Sequence, residues 1–223
     1  MDFRTLPFAA CFAYLPAGRG ELCEQGRRLC AGLKAADRHR LPWIIARVWL
    51  ATVSHGCFGT TLGGRIVLVP TPGSAPSGRS CWVAARVAWC LQELGLAAEV
   101  WPVLRRCHAV RKSACAPAAE RPSVLEHYAS FRVRDGAGAG VGRGGGVCGP
   151  AGQPLRLTLV DDVITRGRTL LAAAGRLREA FPSAEIRAFA VLRTLGRDEP
   201  LSRLLDPCEG EVRWVAGDAR RVP

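Results

Sequence analysis

The chain has 223 residues, close to half of them apolar, which allows one generous core or one core with a small appendage and excludes global disorder. Its net charge of +12 rests almost wholly on arginine, because Lys34 and Lys112 are the only lysines. The basic residues are scattered, in pairs at most, so nucleic acid is permitted as a partner without being indicated, as are phosphorylated small molecules.

The amino-terminal stretch LPFAACFAYLPA (6–17) imitates the apolar centre of a leader peptide, but Pro7 and Pro16 interrupt it and Asp2 weakens the basic flank. Residues 1–28 therefore read as an extension. No apolar segment approaches the roughly 20 residues that span a bilayer, which predicts a soluble, cytoplasmic protein with no membrane partner. The ten cysteines include no C-x-x-C pair and no zinc-ribbon spacing. Reduced thiols are expected, with Cys81 and Cys90 serving as small apolar residues of a helix.

LPWIIARVWLATV (41–53) puts Pro42 in a helical first turn and then repeats apolar residues at helical spacing. GRIVLVP (64–70) is a β-branched run closed by Pro70, a buried strand entering the breaker-rich loop TPGSAPSGRS (71–80). From Ser80 as N-cap, Val83, Val87, Cys90, Leu91 and Leu94 line one helix face, and Gly95 supplies the stop. AEVWPVL (98–104) is the second strand. The basic segment after it is weakly periodic and ends on a strand-like FRV (131–133). The tract DGAGAGVGRGGGVCGPAG (135–152) contains G-x-G-x-x-G by composition, without the flanking strand and helix that dinucleotide binding requires, and reads as a loop or linker.

LRLTLV (155–160) is the clearest strand and TLLAAAGRLREAF (169–181) the clearest helix, with Leu170, Ala174, Leu177 and Phe181 on one face. IRAFAVLRT (186–194) is the strand after it. Together they form a βαβ unit, which predicts an at least partly parallel sheet. In such units ligands bind beyond the carboxyl ends of the strands, at the starts of the following helices. Asp161 and Asp162 fall at that edge, and Thr165, Arg166, Gly167, Arg168 and Thr169 turn the chain into the helix. Free backbone N–H groups, two hydroxyls and a close-approach glycine make a phosphate cradle. The carboxylates can accept bonds from sugar hydroxyls or hold magnesium through water. A ribose 5-phosphate unit satisfies both readers. By spacing alone the same residues also fit a plain turn, with an aspartate or Thr169 as an ordinary helix cap.

LVDDVITRGRTL (159–170) closely resembles the phosphoribosyl-pyrophosphate motif of type I phosphoribosyltransferases. GLKAADRHRLPWIIARV, IVLVPTPGS and VLRRCHAVRKSACAPAAERPSVLEHYASFRV, in that order before the motif, are similar to segments of the competence-protein-F branch of that family. The likeness implies an α/β fold, a mainly parallel twisted sheet flanked by helices, occupying residues 29–198 with a Gly-rich insertion at 135–152 and a tail at 199–223. It implies Mg2+-dependent binding of phosphoribosyl pyrophosphate and transfer of phosphoribose to an unidentified acceptor. Asp161 and Asp162 would contact the ribose hydroxyls with magnesium nearby, and Thr165, Arg166, Gly167, Arg168 and Thr169 would hold the 5-phosphate. The turn from Pro70 and Thr71 to Gly73 would approach the pyrophosphate. RRCHAVRKS would match a mobile covering loop, making Arg105, Arg106, Arg111 and Lys112 the cations that steady the leaving group; the catalytic residues would be Asp161, Asp162, Arg106 and Lys112.

The chain departs from the family pattern in several places. It has no amino-terminal zinc ribbon, SGRSCWVA replaces a conserved-type polar segment and leaves Arg79 as a remnant, and Arg166 stands at a usual threonine. Purine-salvage relatives carry a carboxylate where Thr165 stands, which argues against that subclass. Arg166 and Arg168 fit either phosphate contact or a solvated loop rim, and His108 and His127 read as surface or satisfied positions. Two further functions remain open: a non-catalytic binder of phosphoribosyl compounds or nucleotides acting as a regulator, and an accessory protein of DNA uptake.

Overall fold

The motif strand lies inside a seven-stranded sheet. The computed structural model describes residue 3 and residues 5–35, 40–76, 82–112, 120–134, 155–196 and 199–222. In chain order the elements are β1 (Leu6–Tyr14), α1 (Glu21–Ala35), α2 (Arg40–Val53), β2 (Gly63–Pro70), α3 (Val83–Glu93), β3 (Ala97–Val100) and β4 (Leu104–Arg106). They continue with α4 (Val124–Ser130), β5 (Phe131–Val133), β6 (Arg156–Ile164), α5 (Arg168–Ala180), β7 (Glu185–Thr194), β8 (Leu205–Val215) and β9 (Asp218–Val222).

The large sheet has the order β3-β2-β6-β7-β1-β8-β9. The first five strands in this order pair in parallel, and β8 and β9 are added antiparallel at the β1 side. The chain is thus an α/β protein with a mostly parallel mixed sheet. One face is covered by α1, α2 and α3 through Leu29, Leu33, Ile44, Val48, Val87 and Leu91. The other is covered by α5, α4 and the small β4–β5 pair through Leu170, Leu177, Val124, Tyr128, Leu104 and Phe131. Burial on both faces explains why the parallel strands read as continuous apolar runs.

The connections create a switch point. From β2 the chain passes through α3 to β3 on one side, and from β6 it passes through α5 to β7 on the other. Neighbouring strands β2 and β6 therefore send their following helices in opposite directions, which opens a crevice at their carboxyl ends.

Several expectations are revised. The expected extension at 1–28 supplies a strand of the sheet: Leu6–Tyr14 lies between β7 and β8, because its apolar run is buried on both faces. The expected carboxyl-terminal tail supplies β8 and β9. AEVWPVL is not one strand, since Trp101–Val103 separate β3 from β4 and Pro102 cannot donate to a ladder. The motif strand runs on through both aspartates to Ile164, because β7 continues to pair with it as far as Arg193. Helix α3 begins after Trp82, whose side chain makes no cap bond. Ser80, Cys81, Arg79 and the Gly-rich tract lie outside the described residues. The seven described cysteines are thiols rather than disulfides, with Cys11, Cys23 and Cys30 buried. No helix among the described residues is long and apolar enough to cross a membrane.

Candidate functional site

The two aspartates occupy the place where β6 loses one neighbour. The β2–β6 ladder ends at Pro70 opposite Val160, and the Thr71 N–H adds a last bond to the Val160 carbonyl at 2.9 Å. Beyond it, the Asp161 carboxylate accepts the Asp162 N–H at 3.0 Å, and the Asp162 carboxylate accepts the Val163 N–H at 2.9 Å. Leu159 and Ile164 pack into one core layer while Val160 and Val163 pack into the other, an order that strict alternation cannot give. The two carboxylates thus sit at a slip in the strand's pleat and satisfy backbone donors that β2 no longer reaches.

Their charge is poorly compensated by protein. Burial raises the Asp161 pKa, the adjacent Asp162 charge raises it further, and the Thr71 hydroxyl opposes both. Asp162 also acts on α1: burial raises the Cys30 pKa, Lys34 lowers it, and the Asp162 charge pushes it up again. Two adjacent hard oxygen donors with excess negative charge suit a divalent cation. Among the described residues no group of three or more His, Cys, Asp or Glu side chains gathers as a metal site. Magnesium held by this pair would take its other oxygens from water and from a bound ligand.

After Ile164 the chain bends at Thr165 and Arg166, and Gly167 enters α5 with φ of 84° and no side-chain cap. The first bond into the helix runs from the Leu171 N–H to the Gly167 carbonyl at 2.8 Å. The amides just before Leu171 therefore have no partner within the helix and point out of its positive end. Gly167 is required for two reasons: a left-handed φ, and an added Cβ that would lie 2.5 Å from Val212 Cγ2. The β8 strand thereby holds the turn in place from behind.

The opposite wall is built by the loop after β2. The Thr71 N–H bonds the Val160 carbonyl, its hydroxyl lies 3.0 Å from the same oxygen and also acts on Asp161, and its own carbonyl accepts the Trp82 indole N–H at 2.5 Å. Arg106 fixes the next residues, donating through Nε to the Gly73 carbonyl at 2.7 Å. Its other nitrogens bond Ser130 Oγ and, at 3.0 Å, His127 Nδ1, and its guanidinium carbon lies 3.9 Å from the Phe131 ring centre. Burial pulls the Arg106 pKa down to about 10, against the attraction of the Asp161 charge, so the group stays cationic at neutral pH.

No protein-family model matches this chain, and no curated protein matches it.

The residues singled out by sequence are only partly gathered. Pro70, Thr71, Asp161 and Asp162 lie at the carboxyl ends of β2 and β6, and Thr165, Gly167 and Thr169 lie in the turn and first helical residues that follow β6. Arg168 turns away: its Nε and Nη2 bond Asp218 Oδ1 and Oδ2 at 2.6 and 2.5 Å, and Nη1 reaches the carbonyls of Arg121 and Pro122. Arg166 is drawn to the same carboxylate at 3.3 Å and does not plug the turn. Arg106, expected on a mobile loop, is built into β4 and only 6% exposed. Arg111 and Lys112 are exposed, with Arg111 in an ion pair with Glu120.

His127, read from the sequence as a surface or satisfied position, is the satisfied kind, and its neighbourhood was not foreseen. It is 3% exposed, lies between Arg106 and the turn before α5, and reaches Thr169 Oγ1 from Nε2 at 3.5 Å. Only the S-x-x-E capping box that starts α4, Ser123 with Glu126, marked its helix in the sequence.

Proposed function

We propose that this chain is a magnesium-dependent, phosphoribosyltransferase-like protein of the type I, competence-protein-F kind, binding phosphoribosyl pyrophosphate and passing phosphoribose to an acceptor. The observation that supports this reading is the switch point at the carboxyl ends of β2 and β6, with an acidic pair on one strand and an uncapped helix start just beyond it. Asp161 and Asp162 hold the ribose hydroxyls and, when it is bound, magnesium, which neutralises charge on the pyrophosphate. The amides from Gly167 to Leu170 and the hydroxyls of Thr165 and Thr169 take the 5-phosphate.

Displacing pyrophosphate from ribose C1 leaves positive charge on the sugar and negative charge on the leaving group. The fixed field of Arg106 favours the second of these, and Lys112 stands at the edge of the segment that would cover the site. Thr71 shapes the wall, since its donors are already engaged.

Calorimetric titration with phosphoribosyl pyrophosphate, with and without magnesium, tests the reading. Binding that needs magnesium and is lost in the Asp161→Asn/Asp162→Asn double variant is expected. Absence of binding in the presence of magnesium overturns it. Release of pyrophosphate on adding a panel of nucleobases marks the enzyme, and binding without release marks a regulator. Salt-dependent DNA binding indifferent to both aspartates would instead mark a DNA-uptake accessory.

A further inference from the structure

Between the hood formed by β4, β5 and α4 and the start of α5 lies a chain of three polar side chains. Arg106 Nη2 is 3.0 Å from His127 Nδ1, and His127 Nε2 is 3.5 Å from Thr169 Oγ1. A guanidinium only donates hydrogen bonds, so Nδ1 must accept. A neutral imidazole with an accepting Nδ1 carries its proton on Nε2, which faces Thr169. Thr169 Oγ1 then receives a hydrogen bond, and its own proton is left to point elsewhere. The open end of α5 is close by in the chain: Gly167, two residues earlier, has no side-chain cap and the first amides lack helical partners.

The imidazole is held neutral by its surroundings. Burial lowers the His127 pKa to about 4, Arg106 from β4 and Arg168 from α5 lower it too, and Glu126 on its own helix acts the other way. The ring is further fixed by stacking on Phe131, with centroids 6.4 Å apart and planes 20° from parallel. A cation in this position would repel Arg106. A neutral ring can accept from it and pass the polarity on.

We propose that His127 is a positioning residue that orients the Thr169 hydroxyl, proton outward, as a donor to the anionic group bound at the start of α5, and that Arg106 fixes the tautomer needed for this. The proposal rests on the phosphate-binding reading above and assigns His127 a specific part in it. His127 touches no substrate itself. It explains why a buried arginine with no carboxylate contact among the described residues bonds a histidine and a serine: the charge acts through the ring on a hydroxyl at the site. Arg106 also couples the two walls of the crevice, because its Nε holds the Gly73 carbonyl of the β2 loop at 2.7 Å.

The test is calorimetric titration of the full chain with ribose 5-phosphate and, separately, with inorganic pyrophosphate in magnesium. The variants are His127→Asn, His127→Gln, Thr169→Val and His127→Asn/Thr169→Val. Asparagine can replace Nδ1 as an acceptor for Arg106 but offers no donor at Nε2, whereas glutamine places an amide N–H near Nε2. Expected are about tenfold weaker ribose 5-phosphate binding in Thr169→Val and in His127→Asn, no further loss in the double variant, and near-wild-type affinity in His127→Gln. Pyrophosphate affinity is expected to stay within about twofold throughout. Additive losses, or equal losses for both ligands, would reduce His127 to a packing role and overturn the proposal. If the wild-type chain binds neither ligand, the phosphate-binding reading falls, a result distinct from additivity in a chain that binds.

Nitrogen NMR of the wild-type ring provides a readout that needs no variant to fold. Nε2–H with unprotonated Nδ1 at neutral pH is expected, with a shift of the Nε2 resonance on adding ribose 5-phosphate. The opposite tautomer overturns the proposal.

Discussion

Arg168 and Asp218 are joined edge to edge, Nε to Oδ1 at 2.6 Å and Nη2 to Oδ2 at 2.5 Å, so that the first residue of α5 is clamped to the first residue of β9. The carboxyl-terminal hairpin therefore braces the turn before α5: Asp218 holds Arg168, and Val212 presses on Gly167 from behind. The Arg168 guanidinium faces the hairpin as a result.

The clamp gives a signed pH dependence. Burial alone would raise the Asp218 pKa, but the Arg168 hydrogen bonds, the Ala219 N–H and the charges of Arg168 and Arg166 together outweigh it and hold the carboxyl below its ordinary value. A depressed folded pKa stabilises the fold above the unfolded value of about 4 and loses that contribution as the pH falls through the lower folded value. Asp218→Asn is expected to cost about 1–2 kcal/mol at neutral pH and to remove part of the acid-induced fall in stability. Urea unfolding of both proteins at neutral and acid pH checks this; identical pH curves would show that the pair contributes nothing.

Asp161 has the opposite sign. Its pKa is raised, by burial and then by Asp162, so its ionised form opposes folding: the stability is complete below the unfolded carboxylate value and is lost as the pH rises through the folded one. Asp161→Asn is expected to raise the stability of the ligand-free chain at neutral pH by about 1–2 kcal/mol while removing magnesium-dependent ligand binding. Magnesium should raise the unfolding temperature of the wild type and leave Asp161→Asn/Asp162→Asn unmoved. A destabilised Asp161→Asn, or a magnesium shift that survives the double substitution, contradicts the account of this pair.

Arg106 is expected to be the least replaceable cation of the hood. Arg106→Lys keeps the charge but cannot reach Gly73, Ser130 and His127 together, and should cost about 2 kcal/mol. Arg106→Met removes a charge that lowers the His127 pKa, so that pKa should rise above about 4 while burial still keeps it under the ordinary histidine value. Proton NMR titration of His127 in the variant measures it. An unmoved value would mean that Arg106 exerts no electrostatic pull on the ring.

The βαβ unit of β6, α5 and β7 was legible because its apolar period changes from continuous to helical and back, and because the acidic pair and glycine turn mark the boundary between them. The two ends of the chain were not. Leu6–Tyr14 is apolar on both faces, as a central parallel strand must be, and that is also how a leader peptide reads. β8 and β9 sit at the sheet edge, half exposed and rich in charge, so no apolar run announces them. Helix α1 has Glu21, Glu24, Arg27 and Arg28 among a few buried positions and shows only a thin apolar stripe. The contact between Arg106 and His127 was hidden for another reason: one lies on β4 and the other on α4, 21 residues apart, and such a contact leaves no local pattern.

Gly167 offers the sharpest test of the turn, because two separable effects meet there. A side chain would have to adopt φ of 84°, and its Cβ would lie 2.5 and 2.7 Å from the two methyl carbons of Val212. The first effect costs about 1–2 kcal/mol and cannot be relieved by neighbours. The second costs about 1–3 kcal/mol and disappears if Val212 is shortened. Gly167→Ala is therefore expected to lose about 2–5 kcal/mol and to weaken ribose 5-phosphate binding at least tenfold, because the first amides of α5 shift with the turn. In a Val212→Ala background, which carries its own cavity cost, the added loss from Gly167→Ala should fall to the conformational part alone. Urea denaturation of the four proteins gives the coupling directly. Equal losses from Gly167→Ala in both backgrounds would mean that β8 does not brace the turn.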